Sequence, residues 1–161
     1  MNELLKKSIE LREDGKKREA LELAKVYVNN YPEDALGNYH CAWCFDILEL
    51  EREAIPYYVK AIKRGLGGRE LQGAYLGLGS TYRCIGEYER SEEILKKGME
   101  VFPESREMEV FHAMTLYNLG DHSKAMEKLL KVLAETSKDS NIQSYSDAIL
   151  YYSDKLNKRF I

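Results

Sequence analysis

The chain has 161 residues, 44% apolar and 32% charged, enough for one globular domain whose core needs no metal or disulfide staple. Its net charge is −3, with acids and bases interspersed, so it carries no long-range field to draw nucleic acid or an anionic membrane surface. No apolar run is long enough to span a bilayer, the charged N-terminal stretch is no secretion signal, three cysteines make no disulfide pattern and no Asn-x-Ser/Thr acceptor occurs; together these favour a reducing cytosol.

Helix formers dominate and strand-like alternation is nearly absent. A first helix pair is predicted over about 3–13 and 17–30, broken at Asp14-Gly15 and ended by Tyr31-Pro32, because a residue before proline leaves the helical region. A second pair covers about 34–48 and 52–64 and is closed by Gly65, Gly67 and Gly68, glycine being the residue that tolerates a left-handed helix end. Pro56 falls near the start of its helix, where a missing donor costs little, and reads as structural. The third pair spans about 70–85 and 88–101, broken at Gly86-Glu87 and stopped by Pro103. The fourth spans about 105–119 and 122–135, broken at Gly120-Asp121. The last segment, 141–158, places Tyr145, Ala148, Ile149, Tyr152 and Leu156 on one stripe and reads as a single amphipathic helix, with Asp139 or Ser140 as its N-cap.

These pairs repeat. Ala20, Ala54, Ser91 and Ala125 recur at intervals of 34, 37 and 34 residues. In step with them run Ser8, Ala42, Gly79 and Ala113, then Leu11, Phe45, Tyr82 and Leu116, then Gly15, Glu49, Gly86 and Gly120. A period near 34 built from two helices means stacked helical hairpins. The fold class is therefore all-α, an α-solenoid (right-handed superhelix) of about four antiparallel helix pairs. A C-terminal helix over about 140–158 caps the last apolar face. The whole of 1–161 is read as one domain, with repeats at about 1–34, 35–68, 72–105 and 106–139.

The third hairpin carries Tyr75-x-x-Leu78-Gly79-x-x-Tyr82, then Gly86, Tyr88, Ser91, Leu95 and Pro103, and in this it resembles the tetratricopeptide repeat family. The second adds Ala42, Phe45, Ala54, Tyr58 and Ala61; the first Ser8, Leu11, Gly15, Ala20 and Pro32; the fourth Ala113, Leu116, Gly120, Ala125, Leu129 and Val132. The resemblance runs from about residue 3 to 137. Lys7, Asn38, Glu109 and His112 depart from it, standing where the family prefers a large apolar residue, and Leu66 and Ser137 replace its usual proline.

The resemblance implies a concave face lined by the first helix of each pair: Leu5, Ile9 and Arg12; Tyr39, Trp43 and Asp46; Leu76, Ser80 and Arg83; Val110, Met114 and Tyr117. Such a face is apolar and aromatic with Arg12 and Arg83 as cations, and these residue types concentrate binding energy. Met114 and Tyr117 lie nearest the last helix, and packing beneath that helix is the alternative for them. Some members of the family clamp an acidic C-terminal tail. The matching sites here are Leu5, Ile9, His40, Gly73 and Gly77, which cannot pair with a carboxylate in that way, so no such clamp is expected.

Three other patterns have plain structural readings. Cys41-Ala-Trp-Cys44 lies mid-helix without the strand-then-helix-start setting that activates a redox pair, and His40 with Cys44 offers only one closely spaced metal-ligand pair, so buried cysteine is the expectation. Gly77-Leu-Gly79-Ser80-Thr81 lacks the lysine and context of a phosphate loop. His40, His112 and His122 form no spacing that suggests a catalytic triad. The expected protein is a non-catalytic, cofactor-free cytoplasmic scaffold that binds a protein or peptide in an apolar groove, with no nucleic-acid or membrane role. The alternatives are a small chaperone or carrier for an apolar segment, or a homodimeric module using Leu150, Tyr151, Phe160 and Ile161.

Overall fold

The computed structural model describes residues 2–160 and, among them, holds ten α-helices and no strand. In chain order these are α1 (Glu3–Glu13), α2 (Lys17–Asn30), α3 (Ala35–Asp46), α4 (Glu51–Lys63), α5 (Gly68–Cys84), α6 (Tyr88–Val101), α7 (Arg106–Asn118), α8 (His122–Thr136), α9 (Ser140–Ser144) and α10 (Ser146–Tyr152). The all-α hairpin architecture is as expected. Polar side chains satisfy the free donors at several helix starts: Asn2 accepts from the Leu4 N–H, Asp34 from Gly37, Asp121 from Lys124 and Asp139 from both Asn141 and Ile142.

The four turns inside the pairs share one hydrogen-bond pattern. The Lys16 N–H donates to the Leu11 carbonyl, Leu50 to Phe45, Glu87 to Tyr82 and Asp121 to Leu116, which is the six-to-one bond of a Schellman helix end. That bond needs a left-handed residue just before the donor. Gly15, Gly86 and Gly120 supply it without strain, at φ 79°, 81° and 84°, whereas the equivalent Glu49 is forced to φ 60° with a side chain attached. Glu49→Gly is therefore expected to raise the free energy of unfolding by about 0.5–1 kcal/mol. A urea midpoint that stays level or falls counts against this account.

Two compact units divide the chain, residues 1–94 and 95–161, with the boundary inside α6. In the first unit α1 packs on α2 and α3 on α4, while α1 also meets α3 and α3 meets α5. The small residues at the repeat positions are sealed: Ser8, Ala20, Ala42, Ala54 and Ser91 have no exposed surface. Two of the crossings carry a hydroxyl bond made from opposite sides. Ser8 Oγ of α1 donates to the Ala20 carbonyl of α2 at 2.8 Å, and Ser91 Oγ of α6 donates to the Gly79 carbonyl of α5 at 2.7 Å. A hydroxyl on either helix of a pair thus ties the same contact point, which explains how serine serves in place of alanine or glycine there.

Tyrosines fill the spaces that glycines leave. A methyl group at Gly37 would strike the Tyr27 ring, one at Gly73 the Tyr39 hydroxyl and one at Gly77 the Tyr58 ring. Gly77 is thus a socket for Tyr58, and nothing at Gly77–Thr81 has the form of a phosphate loop, since these residues lie within the continuous helix α5. Asn38, one of the departures from the family pattern, is buried and donates from Nδ2 to the Pro32 and Asp34 carbonyls at 2.9 and 2.7 Å, tying down the chain between α2 and α3.

In the second unit α7 packs on α8, and α10 on α8 and α9. Met108, Ala113, Leu116, Ala125 and Val132 are buried there. Glu109, another departure, bonds to Arg106 Nη1 at 3.1 Å, and Arg106 Nη2 reaches Glu135 of α8 at 2.8 Å.

Two expectations need correction. The segment 141–158 is not one helix: it breaks at Tyr145 into α9 and α10 and ends in turns. Ser144 Oγ competes for a backbone group there, donating to the Ser140 carbonyl at 2.8 Å. The break destroys the register of the stripe, so Tyr145, Tyr152 and Leu156 end exposed and Ile149 half-buried. Pro56 lies one residue deeper in its helix than expected, as the sixth residue of α4 and beyond the first turn, so it does remove a donor that the Arg52 carbonyl would otherwise receive. Pro56 itself is exposed, so the loss falls on the solvent side of the helix.

Candidate functional site

The α1–α3–α5 layer of the first unit carries nine of the twelve residues expected on a concave face, and the structure sorts them. Leu5 is only 1% exposed; it shares the packing side of α1 with Ser8 and belongs to the core, which corrects its assignment to the open face. Tyr39 is also mostly sealed, because its ring points into the space above Gly73. Ile9, Arg12, Asp46, Leu76, Ser80 and Arg83 are half-buried. Trp43 is 39% exposed, a large value for the one tryptophan of the chain.

Trp43 stands in an aromatic group on α3. Its ring lies 5.8 Å from that of Tyr39 and stacks at 12° on that of His40, 6.3 Å away. The Arg12 guanidinium of α1 covers the Trp43 ring at 3.6 Å from its centre, a cation–π contact. Arg12 Nη1 also lies 3.0 Å from His40 Nδ1. Guanidinium only donates, so Nδ1 accepts and the histidine proton sits on Nε2. Burial, reinforced by the Arg12 charge, lowers the His40 pKa from 6.5 to about 4, so the ring is neutral near pH 7.

On the other side of Trp43 a cleft of about 260 Å³ opens between α3 and α5, bordered by Asp46, Ser80, Thr81 and Cys84. The Asp46 carboxylate has its oxygens occupied: Oδ2 accepts from Tyr58 at 2.8 Å and Oδ1 from Thr81 at 2.8 Å. It joins α3, α4 and α5, and so braces the cleft that it also lines. Burial raises the Asp46 pKa, and the two hydroxyl bonds partly offset that. The same contact and burial push the Tyr58 phenol well above its usual range. Neither Tyr58 nor Thr81 was expected at this site. A polar Thr81 beside Tyr82 on the packing side of α5 was the available sign.

Cys41 and Cys44 are buried, as expected, while Cys84 is exposed. Burial raises the Cys41 thiol to about 12 and raises Cys44 too, so both keep their protons at neutral pH and are poor nucleophiles. His40 Nδ1 is engaged by Arg12.

In the second unit Val110 and Met114 are half-buried, and Tyr117 is 62% exposed with its ring 4.6 Å from that of His122 at the α7–α8 turn. Tyr117 is thus not covered by α10. Leu150, Tyr151 and Phe160 are exposed, with Tyr151 and Tyr152 at 5.0 Å and Tyr152 and Phe160 at 5.6 Å between ring centres. Ile161 lies outside the described residues.

Paired helices and small sealed crossing residues define a helical-repeat protein. The model of the family described as "Tetratrico peptide repeat" matches residues 35–156. The chain belongs to the tetratricopeptide repeat family, whose repeats serve in general as modules for protein–protein interaction. A solved structure of YrrB, titled as a TPR protein with an unusual peptide-binding site, is similar with a TM-score of 0.72 at 17% identity, over 97% of this chain and 78% of that one. A tetratricopeptide repeat protein from Parabacteroides merdae gives a TM-score of 0.67 at 20% identity, over 95% of this chain and 59% of that one. The MamA RS-1 ArsTM double mutant gives 0.69 at 15% identity, over 99% of both chains. Superkiller protein 3 of Saccharomyces cerevisiae is 23% identical over 120 residues, which are 74% of this chain but 8% of that protein. No helix among the described residues is long and apolar enough to cross a membrane.

Proposed function

We propose that the protein is a non-catalytic, cofactor-free scaffold, at work in the cytoplasm, that holds a helix or an extended peptide of a partner protein. Nucleic acid and membrane have no part in this reading. The partner lies on the α1–α3–α5 face of the first unit, over Ile9, Arg12, Trp43, Leu76, Ser80 and Arg83. Val110, Met114 and Tyr117 contact partner in the second unit. The observation that carries the reading is Trp43, half-open to solvent yet held by Tyr39, His40 and Arg12, since a rigid, part-exposed tryptophan beside an arginine is the usual make-up of a binding hot spot. Partners are recovered by pull-down with the wild-type chain, and those lost with Trp43→Ala are identified. Trp43→Ala is expected to weaken a recovered partner by about tenfold or more. Unchanged affinity in a folded variant removes Trp43 from the site. A chaperone or carrier for an apolar segment would use the same face and hold one foreign segment per chain.

A second reading, self-association, is favoured by the exposed ring cluster of Tyr151, Tyr152 and Phe160 beside Leu150. On this reading the chain sediments as a dimer at high micromolar concentration and Tyr151→Ser with Phe160→Ser returns it to monomer. A wild-type monomer at that concentration ends the idea.

A further inference from the structure

The face around Trp43 holds a positive charge that the protein does not neutralise. Arg64, Arg90 and Arg106 pair with Glu33, Glu87 and Glu109. Half-buried Arg12 makes no ion pair among the described residues; its hydrogen-bond partners are the neutral His40 ring and the protonated Cys44 thiol. Charges drawn out of water are ordinarily matched by an opposite charge, and a neutral acceptor leaves the guanidinium's charge whole. The group is also already in position. His40 holds one end of its plane and the Trp43 ring lies beneath it at 3.6 Å, so little side-chain freedom is left to lose when an anion arrives.

We propose that the occupant of this face carries a side-chain carboxylate next to an apolar side chain, the carboxylate pairing with Arg12 and the apolar group lying on Trp43. The inference rests on the groove reading above and adds the partner's chemistry to it. One fixed cation matches the single negative charge of an aspartate or glutamate, and the planar guanidinium suits a two-point contact with its oxygens. The position differs from that of a tail clamp: a terminal carboxylate is not required, and the clamp-equivalent sites Leu5, Ile9, His40, Gly73 and Gly77 offer it nothing.

The test uses two short peptides capped at both ends, acetyl-Gly-Asp-Phe-Gly-amide and the same peptide with asparagine for aspartate. Binding to the full chain is followed by amide chemical shifts, for wild type, Arg12→Gln and Trp43→Ala. Glutamine keeps a donor for His40 and loses the charge, and a thermal melt confirms that each variant is folded. The aspartate peptide is expected to bind the wild type about tenfold more tightly than the asparagine peptide, and Arg12→Gln to erase that difference. Equal binding of the two peptides to wild type, a preference that survives Arg12→Gln, or no binding of the aspartate peptide up to about 5 mM overturns the proposal. If both peptides bind the wild type equally and both are lost with Trp43→Ala, only the carboxylate inference fails. If Trp43→Ala leaves binding untouched, the groove reading fails with it.

Discussion

Gly77→Ala is expected to destabilise the protein by about 2 kcal/mol, against the roughly 1 kcal/mol gain that alanine brings to an ordinary helix interior. The added methyl carbon would sit 2.5 Å from the Tyr58 hydroxyl oxygen, 2.6 Å from Cζ and 3.0 Å from Cε1. Tyr58 cannot give way cheaply: it is 2% exposed and its hydroxyl donates to Asp46, which in turn holds Thr81. Moving the ring therefore strains three helices at once. Gly77→Ala in a Tyr58→Leu background is the control, because the ring that the methyl would strike is then gone. Urea unfolding of both variants decides the matter; a Gly77→Ala protein more stable than wild type would show that helix propensity, rather than the tyrosine socket, governs this site.

Acidification from pH 7 to 4 is expected to cost up to about 3 kcal/mol through His40 alone. The ring's pKa falls from 6.5 in the unfolded chain to about 4 in the folded one, because burial and then the Arg12 charge disfavour the imidazolium, while Asp34 pulls weakly the other way. A base with a lowered folded-state pKa is protonated first in the unfolded chain. Its stabilisation is complete above pH 6.5 and drains away as the pH falls through about 4. Asp46 works in the opposite sense, since its raised pKa makes the folded state gain on acidification. The difference between wild type and His40→Gln cancels Asp46 and the surface carboxylates. That difference, measured by urea unfolding at pH 7 and pH 4, should shrink by most of the predicted amount; a difference that is the same at both pH values removes His40 as the source.

Helix ends and pairings were legible where the signal is local. Gly15, Gly86 and Gly120 break the pairs by residue type and the repeat puts Glu49 at the equivalent position, but that Glu49 takes the same left-handed backbone is read only from the structure. The small-residue positions were legible too, since close helix crossings exclude bulk wherever they recur. The candidate face was legible only in part. The family resemblance put Leu5 and Tyr39 beside Trp43, but a repeat pattern places residues along a helix and says nothing of how deep a neighbouring helix covers them. The last segment misled for a related reason: its apolar stripe is regular on paper, yet serine side chains bonding to the backbone outweigh a stripe with little to bury against.

From sequence alone, then, came the helical hairpins, their period, their turns and the family they belong to, because each depends on backbone bonds and packing stripes within some 35 residues of chain. Tertiary structure alone decided that Tyr58 fills the space over Gly77, that Asp46 braces two hydroxyls from other helices, and that Arg12 rests on Trp43 against a neutral His40. Apart from the Tyr58–Asp46 bond, those contacts join residues of successive repeats. They are set by which helices come to lie side by side and at what depth, and a linear pattern carries that information only after the hairpins have stacked.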